Sequence, residues 1–304
     1  MTGARASGGR ASGGSTASGK TVSGGAGGSS VGGTGSTGAS SAVGGAMSCD
    51  TAAPPSNVAA WIDESWNAEG KNNMSWHSTW VHDAAMKGNG QLNICVRYGA
   101  TRAVSAATRD LVAPAMQRWF NQWFAKLYPY DCFPYPAITV KITGWAVKPG
   151  LESLLRWTDR DVPVYTEVYD GADQAKGEPK CPDSCGFFFH PDHAFANCPG
   201  GAANHFDYTL WLNDKLPSGA AAEGSDWGVR IPVETFMGNI NVETLDVMLH
   251  EIGHGFGLSD YYNWKGSTPA GGSVMMIGSA RGLSVGDQWM VRRYWRETKL
   301  LRYR

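Results

Sequence analysis

Two histidines stand one helical turn apart in His250-Glu251-Ile252-Gly253-His254. Four residues of α-helix turn about 400°, so both imidazoles leave from one face and can share one metal ion. Glu251 lies one residue on, close enough to reach a metal-bound water without being a ligand. The run continues Gly255-Phe256-Gly257-Leu258-Ser259-Asp260. Gly257 can take a positive φ, which lets the helix stop and the chain reverse at once. Asp260 is then delivered back toward the histidines three residues later. A catalytic zinc takes three protein ligands and keeps one position open for water. His250, His254 and Asp260 supply that set.

The elements that must position these residues follow from periodicity. Asn241–Gly255 reads as the helix that carries them, with Asn241 as N-cap and Leu245, Met248, Leu249 and Ile252 as its buried stripe. Leu92–Tyr98, Ile138–Val147, Val164–Tyr169 and Tyr208–Asn213 read as strands. Ser105–Leu127 reads as a helix with Leu111, Ala115, Trp119, Trp123 and Leu127 recurring every four residues. Pro114 predicts a kink in it, or a start nearer the proline. A last helix spans about Ser284 to Arg296, where Ser284 and Asp287 can form a capping pair. Cys181–Gly201 reads as a cysteine-braced loop. The class implied is α+β.

Fifteen residues beyond Asp260 stands Met275, in Ser273-Val274-Met275-Met276. His-Glu-x-x-His-x-x-Gly-x-x-Asp followed by a Ser-x-Met turn resembles the metzincin zinc endopeptidases. The likeness is to the snapalysin-like branch, in which Asp is the third ligand. It covers about Asn241–Arg296 by motif, and more weakly reaches back to Leu92. The opening Leu283-Ser284-x-x-Asp287 is similar to the last helix of matrix-metalloproteinase-like domains. The resemblance implies a catalytic domain over 91–304 with a mixed sheet, an active-site helix, a Met-turn and a C-terminal helix. It implies Zn²⁺ held by His250, His254 and Asp260, Glu251 as general base, and Met275 beneath the metal. Tyr208–Asn213 becomes the substrate-binding edge strand, and the substrate a protein or peptide. Glu297, on the last helix, is the rival third ligand, as in gluzincin-like enzymes. No tyrosine is assigned to the oxyanion, and Tyr261 and Tyr262 are equally packing candidates.

Composition bounds the rest. Residues 1–48 hold 16 Gly, 11 Ser, 8 Ala and 5 Thr with no aromatic or acidic residue, which predicts a disordered linker. Residues 49–90 are Trp-bearing but irregular, and read as an N-terminal wrap or a pro-segment. Residues 49–304 carry 23 Lys and Arg against 27 Asp and Glu, a net of −4 without a basic stripe. That argues against a nucleic-acid partner, and no run is long enough for a transmembrane segment. Oligomeric state is left open. Six cysteines read as up to three disulfides of an exported protein, with fifteen possible pairings. An extracellular or cell-surface location is therefore expected, although no signal peptide follows Met1 and one would have to lie upstream.

His190 and His193, beside Cys181, Cys185 and Cys198, suggest a structural zinc as a rival to the disulfides. Cys49 can be imagined as a thiolate on the zinc of a latent precursor. His77, His82 and His205 show no partner pattern. From a different class, thirteen Trp motivate a non-enzymatic carbohydrate- or surface-binding module.

Overall fold

The computed structural model describes residues 48–76, 80–159, 161–169, 177–276 and 278–303, without the side chains of 75 and 76. The predicted linker, Ser48 apart, lies outside the described residues, as does His77. Helices α1 (Ser56–Ser65), α2 (Lys71–Trp76) and α3 (Val81–Lys87) come first, with a π-helical stretch at Trp66–Gly70 between the first two. The segment 49–90, expected to be irregular, is thus mostly helical. Val58, Trp61, Ile62 and Ser65 form the buried face of α1. Trp66, four residues past Ile62, continues that face into the π-helical stretch and is buried as well.

Strand β1 (Gln91–Tyr98), β2 (Val104–Ser105), α4 (Ala106–Asp110), α5 (Val112–Leu127), β3 (Thr139–Val147), β4 (Leu155–Arg156) and β5 (Val164–Tyr165) follow. Then come β6 (Tyr208–Asn213), β7 (Glu223–Ser225), β8 (Gly228–Pro232), α6 (Val233–Gly238), α7 (Asp246–Gly255) and α8 (Val285–Arg302). Six strands form one mixed sheet in the order β5-β3-β1-β6-β8-β7, while β2 and β4 pair separately. Every neighbour in the large sheet is parallel except β7 on β8. The protein is α+β with a mostly parallel sheet and a C-terminal helix.

Parallel sheets are covered on both faces, and β1 is buried at every position after Gln91. Leu92, Ile94 and Val96 alternate with residues held by the long connection 177–207. The Asn93 N–H donates to Asp207 Oδ2 at 2.8 Å. Cys95 is bonded to Cys181. Arg97 Nε donates to the Pro179 carbonyl at 2.8 Å. This polar pattern is why alternation alone described only half of the strand's surroundings.

Tyr208–Asn213 is not the edge strand. β6 lies inside the sheet between β1 and β8, buried along its length, and the edge on that side is β7. The helix break in 105–127 falls at Leu111, upstream of Pro114, which has no N–H to give to the Asp110 carbonyl. Leu111, first of the residues recurring every four, is consequently exposed. Ser105 caps α4 by accepting from the Thr108 N–H.

The helix predicted from Asn241 begins at Asp246. Side chains of α5 take the intervening carbonyls before a helix can: Arg118 binds those of Ile240 and Val242, Trp119 that of Val242, and Gln122 that of Glu243. At the C-terminus the predicted Ser284/Asp287 capping box is present. α8 runs six residues past the expected Arg296, held by Arg302 and Tyr303 on the buried Asp83 and by Lys299 on Asp131.

All six cysteines are paired, as Cys49–Cys132, Cys95–Cys181 and Cys185–Cys198. The expected disulfides are thus present. Cys49 is not available as a thiolate for a latent zinc, and no cysteine remains to join His190 and His193. The disulfides fit an oxidising compartment. Among the described residues no helix is long and apolar enough to cross a membrane.

Candidate metal centre

α7 presents His250 and His254 one turn apart, and Gly257 ends it as predicted, with φ 99°. The Leu258 N–H reaches back to the Gly253 carbonyl and the Gly257 N–H to that of His254, the paired closing bonds of a helix that reverses. A Cβ on residue 257 would also lie 2.6 Å from the Tyr294 ring. Asn73, from the N-terminal helices, fixes the reversed loop by donating to the Gly257 carbonyl and to Ser259 Oγ at 2.9 and 2.7 Å. Asp260 is thereby brought onto the histidines.

His250 Nε2 lies 3.0 Å from Asp260 Oδ1, and His254 Nε2 lies 3.4 Å from the same oxygen. Two ligands of one tetrahedral zinc, each at about 2.0–2.1 Å, stand about 3.3 Å apart. The ring orientations agree with that use. His250 Nδ1 donates to the Val274 carbonyl at 3.0 Å and His254 Nδ1 to that of Leu258 at 2.7 Å. These bonds place the proton on Nδ1 and leave both Nε2 lone pairs facing the carboxylate. Three electron pairs therefore converge on one point. The residues fit a divalent cation, and His250, His254 and Asp260 form a group that could hold one.

The charges respond to this crowding. Burial alone would lower the His250 pKa, but the Asp260 hydrogen bond, the Glu251 charge and the Val274 carbonyl raise it overall. Asp260 is held well below the usual carboxylate range, because the bonds and charges of the two histidines outweigh its partial burial. Glu251 moves the other way. Burial raises its pKa against the opposing pull of His250 and His254, and its Oε2 lies 3.9 Å from His254 Nε2.

Met275 sits beneath the helix. It is fully buried, and a Cβ on Gly253 would meet its sulfur at 2.6 Å. The turn that carries it is tied down by Asp287, which accepts from Ser273 Oγ at 2.5 Å and from the Val274 N–H. One turn therefore both packs under α7 and orients His250 through the Val274 carbonyl. Glu297 is elsewhere engaged, with Arg293 at 3.1 Å and Arg296 at 3.7 Å.

Two contributors were not assigned from the sequence. The Tyr262 hydroxyl lies 2.9 Å from His250 Nε2, and its ring stacks on the imidazole at 5.7 Å. Its position two residues past Asp260 on the same reversed loop was the available signal. The edge strand β7 packs on α7 so closely that Gly224 has no room for a Cβ. Gly224 and Ser225 join His254, Asp260 and Asn73 in lining a cleft of about 170 Å³. No protein-family model, curated protein or solved structure matches the chain.

Proposed function

We propose that this chain is a zinc-dependent endopeptidase with a metzincin-like catalytic domain. The observation that carries the reading is the convergence of His250 Nε2, His254 Nε2 and Asp260 Oδ1 at 3.0–3.4 Å, beside a buried glutamate that is spare. Bound zinc would supply Lewis acidity, acidifying a water and polarising a carbonyl. Glu251 takes the proton from that water at its carboxylate and returns it to the leaving amine. Burial raises its pKa above the ordinary carboxylate value, which favours holding the proton between the two transfers. Among the described residues the outer side of β7 pairs with no strand, so an extended peptide can add there through main-chain hydrogen bonds, next to the cleft.

The carbohydrate-binding reading loses its motivation. Ten tryptophans are buried, and Trp211 is covered by the guanidiniums of Arg97 and Arg230 at 3.6 and 3.9 Å from the ring. The test is digestion of a peptide library read by mass spectrometry. The wild type should cut at defined bonds, lose activity to a chelator and regain it with zinc. Glu251→Ala should lose at least two orders of magnitude. Equal cleavage by both proteins would overturn the proposal.

A further inference from the structure

A second cluster of metal-ligating side chains lies on the connection that covers the sheet. His193, His205 and Asp207 each offer one ligand atom, and those atoms lie within 4.8 Å of one another. We propose that they hold a second, structural divalent ion of the zinc class, independent of the His250 centre.

The groups are arranged as ligands, and two of their ligand atoms have no hydrogen-bond partner among the described residues. The Asp207 side chain is 1 % exposed. Its Oδ2 accepts the Asn93 N–H, but among the described residues its buried Oδ1 has no hydrogen-bond partner, and neither does the buried His193 Nε2. His205 Nδ1 donates to the Ala202 carbonyl at 2.6 Å, which leaves the lone pair on Nε2, 3.6 Å from Asp207 Oδ1. That separation is close to the spacing of two tetrahedral zinc ligands, about 3.3 Å.

The Asn93 amide does not fill this lone pair. Its nitrogen lies 3.0 Å from Nε2 and 3.4 Å from Nδ1. A donor along the in-plane lone pair of Nε2 would stand about 5 Å from Nδ1, so the amide packs over the ring face instead. An uncompensated carboxylate oxygen facing imidazole lone pairs in a buried site is costly, and a cation satisfies all of them together.

The surroundings suit a structural ion. Phe195 stacks on His205 at 4.5 Å and meets His193 edge-on at 4.8 Å, and Phe187 also meets His193 edge-on at 5.9 Å. His193 takes a positive φ of 63°, a conformation disfavoured for histidine that ordinarily needs compensation. The Cys185–Cys198 disulfide closes the loop that carries His193. Two imidazoles and a carboxylate are a zinc-type donor set rather than a calcium or magnesium one. The ion would pin this loop to β1 and β6 at Asp207.

Metal analysis of the full chain after equilibration in zinc buffer and gel filtration tests the proposal. The wild type should carry two equivalents of zinc. His250→Ala/His254→Ala should keep one, and His193→Ala/Asp207→Asn should keep the other, with each fold checked by circular dichroism. Should the second variant not fold, the first decides by itself: one equivalent, lost on adding His193→Ala, is the expected result. A folded His250→Ala/His254→Ala protein holding no zinc, or zinc indifferent to His193→Ala, overturns the second site. A wild type with one equivalent, lost in His250→Ala/His254→Ala, removes this site while leaving the peptidase centre standing.

Discussion

Gly224 is where a single methyl group should separate catalysis from metal binding. An added Cβ would lie 2.4 Å from the Glu251 carbonyl oxygen and 2.9 Å from that residue's carbonyl carbon and Cα. Ordinary van der Waals contact begins at 3.4 Å, so Gly224→Ala must part β7 from α7 by about 1 Å. The obstacle is helix backbone, which cannot swing aside as a side chain can. The three nearest atoms all belong to the Glu251 backbone and none to His250, His254 or Asp260. A peptide docked along β7 is therefore displaced relative to the Glu251 carboxylate, and a misplacement of about 1 Å costs about 100-fold in rate. Steady-state hydrolysis of a fluorogenic peptide, with zinc content and thermal midpoint measured in parallel, reads the effect. The expected variant folds, retains zinc at the His250 centre and loses about 100-fold in kcat/KM. A folded variant within twofold of wild type would refute β7 as the substrate strand.

Two further perturbations address the supports of the site. Burial and the Arg302 charge lower the His82 pKa to about 3 from 6.5, so the unfolded chain takes up a proton below pH 6.5 that the folded chain refuses until about pH 3. Stability should fall across that window, by about 2 kcal/mol between pH 8 and pH 5. Urea denaturation of wild type and His82→Gln at both pH values isolates this part, and an identical loss in both proteins contradicts it. Asp287→Ala removes the acceptor of Ser273 Oγ and of the Val274 and Ser284 N–H groups. It should cost about 3–4 kcal/mol in the same assay, and a loss below about 1 kcal/mol would show that the Met275 turn does not depend on α8.

The parts legible in the sequence were those set by local chemistry. The spacing of His250 and His254, the reversal at Gly257 and the Ser284/Asp287 cap each depend on a few neighbouring residues, and the fold contains the reversal and the cap where they were expected. The bounds of β6 were equally legible, but not its place in the sheet, because strand order is decided by partners far along the chain. β7 gave no signal: Glu223-Gly224-Ser225 has neither alternation nor an apolar residue, and is a strand by virtue of pairing with β8. The N-terminal helices were hidden because Ser65 and Gly70 interrupt the apolar stripe on their buried face. His205 looked solitary since its partner His193 lies twelve residues upstream, across a disulfide-closed loop.

Zinc stoichiometry and turnover of three variants test the central claim most directly. Asp260→Ala should lose the zinc of the His250 centre together with activity, because two imidazoles alone hold it poorly. Glu251→Ala should keep that zinc and lose turnover by orders of magnitude. Glu297→Ala should keep both, its carboxylate being engaged by Arg293 and Arg296. Full zinc and activity in Asp260→Ala, with both lost in Glu297→Ala, would contradict the account.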